Sequence, residues 1–165
     1  MSAISKTIKF NPESDKLITV AAGCFWGTEH MYRKYLGDKI VDCKVGFANG
    51  NETSKDSGDS VSYKRVCKGD TNFAEVLQIS YNPTTLTLKE IIDLFFRIHD
   101  PTTLNAQGPD QGTQYRSGIY THSPEDFVKV EKLKQDWQPK WGNKLLTEIH
   151  AIENYYDAEE YHQIY

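Results

Sequence analysis

The chain has 165 residues, 38% of them hydrophobic and 25% charged, which suits a single globular domain over residues 1–165 with a sizeable core. Nineteen Lys and Arg against 23 Asp and Glu leave a net charge of −4, so bulk electrostatics speak against nucleic acid or an anionic membrane as partner. No run approaches the ~18 apolar residues of a membrane span, and Met1 to Asp15 carries no secretory apolar core and no Arg-rich amphipathic pattern, so a cytoplasmic location is expected.

Residues 1–15 read as a polar lead-in. The apolar run Leu17-Ile18-Thr19-Val20 predicts a short buried strand at about 16–21. A helix is expected next, to about Leu36, from the spacing of Trp26, Met31, Tyr32, Tyr35 and Leu36, with Gly37 as its C-cap. Cys24 then falls at the strand-to-helix junction, between Gly23 and Gly27. The first N–H groups of a helix lack intrahelical partners, and the macrodipole favours negative charge there. A cysteine so placed should have its thiolate, the nucleophilic form, favoured. The alternative is a small buried core thiol.

Lys39 to Phe47 alternates in part and predicts a second strand, followed by a polar loop over 49–62 rich in turn formers. Phe73 to Tyr81 is the cleanest strand. Its odd positions Phe73, Leu77, Ile79 and Tyr81 are apolar, and Gln78 and Ser80 occupy the even face. Glu75 falls on the apolar face. A carboxyl pointing inward has its pKa raised by burial, which would keep it protonated near neutrality as a general acid; the alternative is a Glu that reaches solvent at the strand end.

Thr87-Leu88-Lys89-Glu90 is a capping box for a helix to about Ile98. Residues 100–114 form a long aperiodic loop, of the kind that is often functional in a compact domain. It leads to a strand at Tyr115–Thr121. Ser123 as N-cap and Pro124 at the first position start a third helix, to about Gln138. Lys144 to Ile152 reads as a last strand and Asp157 to Tyr165 as an amphipathic terminal helix. This order predicts a two-layer α/β sandwich on a split β-α-β core, with helices on one sheet face.

The three cysteines, Cys24, Cys43 and Cys67, form no CxxC pair or zinc spacing, which favours a reducing compartment over a disulfide framework. The five scattered histidines lack metal-ligand spacing, so no metal is expected. Twenty aromatic residues (ten Tyr, seven Phe and three Trp) suit either a site for an apolar ligand or simply an aromatic-rich core.

Gly23-Cys24-Phe25-Trp26-Gly27 resembles the signature of the type A peptide methionine sulfoxide reductases, with the fungal branch the nearest likeness. The resemblance continues in family order at Gly46–Gly50, Tyr63–Cys67, Gly69–Thr71, Ala74-Glu75, His99–Pro101, Gly112–Ser117 and Ala158–Gln163, over nearly the whole chain. It implies a ferredoxin-like fold with long added loops, and reduction of the S epimer of methionine sulfoxide, protein-bound or free, in repair of oxidised proteins. It further implies that Cys24 attacks the sulfur and becomes a sulfenic acid, the reversible first rung of thiol oxidation. Glu75 would protonate the sulfoxide oxygen, Tyr63 and Tyr115 would hydrogen-bond it, Phe25 and Trp26 would hold the methyl group, and Asp110 would bind the substrate backbone. No cofactor is implied, only an external thiol: thioredoxin, glutaredoxin or glutathione. A monomer is expected.

Many family members carry a resolving cysteine in a Gly-rich C-terminal tail, whereas the last cysteine here is Cys67. Either an external thiol attacks Cys24 directly or Cys67 or Cys43 substitutes, unless a natural tail is missing from this sequence. Two rival readings remain: a cysteine hydrolase or acyltransferase using His99 or His122 as base, and a module that binds oxidised methionine without turnover.

Overall fold

The computed structural model describes residues 3–50 and 72–163. Tyr63, Cys67 and nearly all of the polar loop predicted at 49–62 lie outside these residues. The elements in order are β1 (Lys16–Ala22), α1 (Phe25–Leu36), β2 (Ile40–Ala48), β3 (Ala74–Tyr81), α2 (Leu88–Ile98), the two-residue strands β4 (Ala106–Gln107) and β5 (Asp110–Gln111), β6 (Ser117–Thr121), α3 (Pro124–Trp137), β7 (Glu148–Ala151) and β8 (Tyr155–Asp157).

The main sheet runs β7-β6-β1-β3-β2-β8. Its four central strands pair antiparallel in the order β6-β1-β3-β2, which is the split β-α-β plan: β1 and β2 bracket β3. β7 adds in parallel to β6, and β8 antiparallel to β2. One face of the sheet, with Ile18, Val20, Val45, Leu77, Ile79 and Ile119, packs against apolar residues of the three helices to make the principal core. Among the described residues, no helix is long and apolar enough to cross a membrane.

The helix ends follow their local chemistry. The Glu90 N–H donates to the Thr87 hydroxyl at 3.2 Å, and the Asp126 N–H donates to the Ser123 hydroxyl at 3.2 Å ahead of Pro124. Gly37 does end α1, but with right-handed φ of −54°, its N–H donating to the Arg33 carbonyl.

The even, polar face of β3 is covered: Gln78 is 0% exposed, with residues of the polar lead-in lying across it. The Ser5 N–H donates to Gln78 Oε1 at 2.7 Å, and Gln78 Nε2 donates to the Ala3 carbonyl at 3.1 Å. The polar lead-in therefore begins as a cover for the second sheet face. Three expectations need correction, all after the long loop. Tyr115 does not begin a strand; it ends a 3-10 turn over Thr113–Tyr115, and β6 starts at Ser117. The last long strand shrinks to Glu148–Ala151. The terminal helix is absent among the described residues, where β8 and a 3-10 turn over Glu160–His162 replace it. The cause lies at the edge of β2, whose free N–H and C=O groups capture this segment. β8 pairs with Gly46–Ala48, and the Gln163 carboxamide exchanges two hydrogen bonds of 2.9 Å with the Val45 backbone.

Candidate active site

Gly23 turns the chain from β1 into α1 with φ of +88°, a conformation strained for any residue with a Cβ. A Cβ there would also lie 2.7 Å from Gln107 Cγ, so Gly23 is the floor on which Gln107 rests. The Gln107 carboxamide in turn bonds the backbone of Asp100, accepting from its N–H at 3.0 Å and donating to its carbonyl. The long loop is thereby tied down beside the junction.

Cys24 is the N-cap of α1 and is half-buried. Contrary to the sequence expectation, its thiol pKa is raised. Burial is the largest cause, and the negative charges of Glu75 and Asp110 add to it. The N–H groups of Trp26 and Gly27 pull the other way, as the helix terminus should, but do not win. The free protein thus holds Cys24 as a thiol.

Glu75 sits on β3 opposite Phe47 of β2 and is 1% exposed. The Phe25 N–H, at the start of α1, donates to Glu75 Oε1 at 3.2 Å, while Oε2 has no hydrogen-bond partner among the described residues. Burial pushes the carboxyl pKa up to about 8, opposed by the Phe25 N–H and reinforced by Asp110. The carboxyl is therefore mostly protonated at neutrality. Oε1 is occupied as an acceptor, so the proton belongs on Oε2, where it is free to be given away.

The Phe25 ring is fully buried, 5.6 Å from Phe47 and 6.1 Å from the half-buried Trp26. Asp110 opens β5 and is close enough to raise the pKa of both Cys24 and Glu75. Tyr115 is half-buried at the end of its 3-10 turn. Cys43 is elsewhere: it is 1% exposed in the core face of β2, where burial pushes its thiol up to about 12. His99 and His122 do not serve Cys24. His99 engages the Phe95 carbonyl at 2.7 Å and the Ser117 hydroxyl at 2.8 Å, His122 engages the Thr19 hydroxyl at 2.9 Å, and burial holds both near pKa 4.

Sequence reasoning gave no role to Arg116, which the structure makes a clamp. It is 8% exposed, and it donates to the Thr113 carbonyl at 2.8 Å, to the Asn49 carbonyl at 3.2 Å and to Glu148 at 3.2 Å. It so ties the Tyr115 turn to the end of β2 and to β7. A lone Arg before a strand carries no signal of this, since its partners lie 67 and 32 residues away. Arg116→Ala should cost about 2–3 kcal/mol, because it strands two carbonyls and weakens a partly buried ion pair. The check is a melting temperature lowered by about 5–10 °C; an unchanged value would refute the clamp.

Comparison with known proteins adds to this geometry. The family model for peptide methionine sulfoxide reductase matches residues 16–165. A peptide methionine sulfoxide reductase of Saccharomyces cerevisiae is 70% identical over 99% of this chain and 89% of its own length. The crystal structure of Mxr1 from Saccharomyces cerevisiae in reduced form superposes with a TM-score of 0.97 at 70% identity, covering 99% of this chain and 91% of that one. Mxr1 in complex with Trx2 aligns with a TM-score of 0.74 at 54% identity, covering 96% and 91%.

Proposed function

The chain belongs to the peptide methionine sulfoxide reductase family, and from that premise we propose that it reduces the S epimer of methionine sulfoxide, in proteins and as the free amino acid, through a sulfenic acid on Cys24. The observation that carries the reading is the pairing of a half-buried nucleophile at a helix N-terminus with a carboxyl held protonated beside it. Sulfoxide reduction needs both: sulfur attack is feasible only as the oxygen gains a proton.

In this reading the Cys24 thiolate attacks the substrate sulfur, and Glu75 Oε2 passes its proton to the oxygen. The S–S bond so formed breaks as the S–O bond of the substrate is lost and the oxygen is carried onto Cys24 sulfur; the substrate gains two electrons and Cys24 loses two, leaving methionine and Cys24 sulfenic acid. Tyr115 and Tyr63 hydrogen-bond the oxygen, Phe25 and Trp26 enclose the methyl group, and Asp110 holds the substrate backbone amide. The thiolate is drawn out only when substrate occupies the site, which protects the resting thiol from adventitious oxidation.

A thiol then attacks the sulfenic acid, releasing water and forming a disulfide that a second thiol reduces. Thioredoxin is the reductant we favour, because the relative Mxr1 is seen in complex with Trx2. Cys43 is a poor resolving thiol, since its burial and its pKa near 12 withhold the thiolate; Cys67, direct attack by the external thiol and a cysteine in a tail outside this sequence are the other routes. No resident cofactor is needed, as thiols supply both electrons. The neutral, doubly engaged His99 supplies no base to Cys24, which tells against the hydrolase reading.

The test is a single turnover by fully reduced protein without added reductant, given each epimer of a methionine sulfoxide peptide. About one equivalent of methionine from the S epimer alone, with a trappable sulfenic acid on Cys24, is expected. No methionine from either epimer would overturn the reading.

A further inference from the structure

The aromatic wall beside Cys24 has a member from the far end of the chain. His162 is 3% exposed. Its ring centroid lies 5.2 Å from that of Trp26 and 5.7 Å from that of Phe25, tilted by 34° and 47°. It therefore fills the angle between the two rings, which are themselves 6.1 Å apart. Glu159 Oε2 lies 3.3 Å from His162 Nε2.

The backbone under His162 is held as firmly as its ring. The Gln163 carboxamide takes the place of a peptide unit on the β2 edge, accepting from the Val45 N–H and donating to the Val45 carbonyl, each at 2.9 Å. The Ala158 N–H reaches the same carbonyl at 3.0 Å. Residues 158–163 thus form a latch on β2 that presses one ring onto the two aromatic residues following Cys24.

We propose that His162 is a specificity-determining positioning residue, which sets the depth of the S-alkyl pocket by blocking retreat of Trp26 and Phe25. This rests on Phe25 and Trp26 enclosing the substrate methyl group. His162 touches no reacting atom in this account; it acts through the indole. Interiors are close-packed, so a ring removed from behind a pocket wall leaves a void into which the wall can relax. A pocket that fits a methyl group discriminates against one more methylene by about 10–200-fold, and that discrimination should fall when the backing is lost.

The experiment compares kcat and KM for the S-configured sulfoxides of N-acetylmethionine amide and N-acetylethionine amide, with thioredoxin as reductant. In His162→Ala the methyl-over-ethyl ratio of kcat/KM should drop about 10-fold, with KM for the methyl substrate raised several-fold and its kcat within about 2-fold of wild type. His162→Phe, which restores a ring of similar thickness, should recover the ratio. Parallel loss on both substrates at an unchanged ratio would reduce His162 to a structural residue and overturn the proposal, and so would no change at all. Should His162→Ala fail to fold, Gln163→Ala, which opens the latch under an intact imidazole, carries the same test with the same two outcomes. Wild-type protein that reduces neither substrate would instead overturn the methionine sulfoxide reading itself.

Discussion

Cys24→Ser should lose at least about 10⁴-fold in kcat/KM for methionine sulfoxide reduction while keeping its fold and most of its substrate affinity. In the proposed mechanism the sulfur of Cys24 accepts the oxygen atom, and no other described group can take it. Cys43 is fully buried with its thiol pushed up to about 12. A serine hydroxyl cannot be oxidised to an equivalent of the sulfenic acid, so the loss goes beyond weaker nucleophilicity. Removal of a nucleophile in other enzymes costs a comparable or larger factor. The structural cost should be small, because the side chain is half-buried and makes no capping hydrogen bond. The check combines steady-state turnover, titration with an S-sulfoxide peptide and a thermal melt. Residual activity above about 1% in a well-folded variant would move the chemistry to another thiol.

The second large effect concerns Glu75. Glu75→Gln keeps the shape and can still accept the Phe25 N–H, but it has no proton to give. General acids contribute about 10²–10⁴-fold, and a loss in kcat of that order is expected. The pH dependence makes the assignment sharper. In the free protein burial lifts the carboxyl to about 8 and the thiol above its ordinary value; Asp110 raises both, and the charge of Glu75 adds to the rise of the thiol. The reactive state needs the thiolate and the protonated carboxyl together, so it is one tautomer of the singly protonated pair. As pH rises, kcat/KM should climb as the first proton leaves, near 8, and fall when the second leaves. In Glu75→Gln only the thiol titrates. The alkaline limb should vanish, and the remaining ascending limb should report a Cys24 freed from the repulsion of Glu75. An alkaline limb that persists in the variant would exclude Glu75 as the proton donor.

Much of the candidate pair, Cys24 and Glu75, was legible because it lay in local pattern. Cys24 stood where an apolar strand run passes into helical spacing between two glycines, and the structure puts it at the N-cap of α1. Glu75 broke the apolar face of an otherwise clean strand, and a charge in that register is visible from alternation alone. The caps at Thr87 and Ser123 were equally local. The ionisation of Cys24 was not legible in this way. The helix terminus favours the thiolate, but burial and two carboxylates from β3 and β5 oppose it, and these meet Cys24 only in the folded chain.

The C-terminal segment shows the limit most plainly. Its sequence has the spacing of an amphipathic helix, yet residues 155–163 serve as an edge strand and a latch because β2 presents unpaired backbone groups to them. In the same way, nothing near Gln78 in the sequence tells that Ala3 and Ser5 bond its carboxamide. By itself, the sequence determined the strand-helix junction, the acid on the apolar strand face, the boundaries of α1, α2 and α3 and the family these motifs spell out, since each depends on local pattern. Tertiary structure alone decided which thiol stays protonated, that Arg116 clamps the tyrosine turn and that His162 backs the aromatic wall. Those outcomes depend on burial and on partners tens of residues away, which no local periodicity encodes.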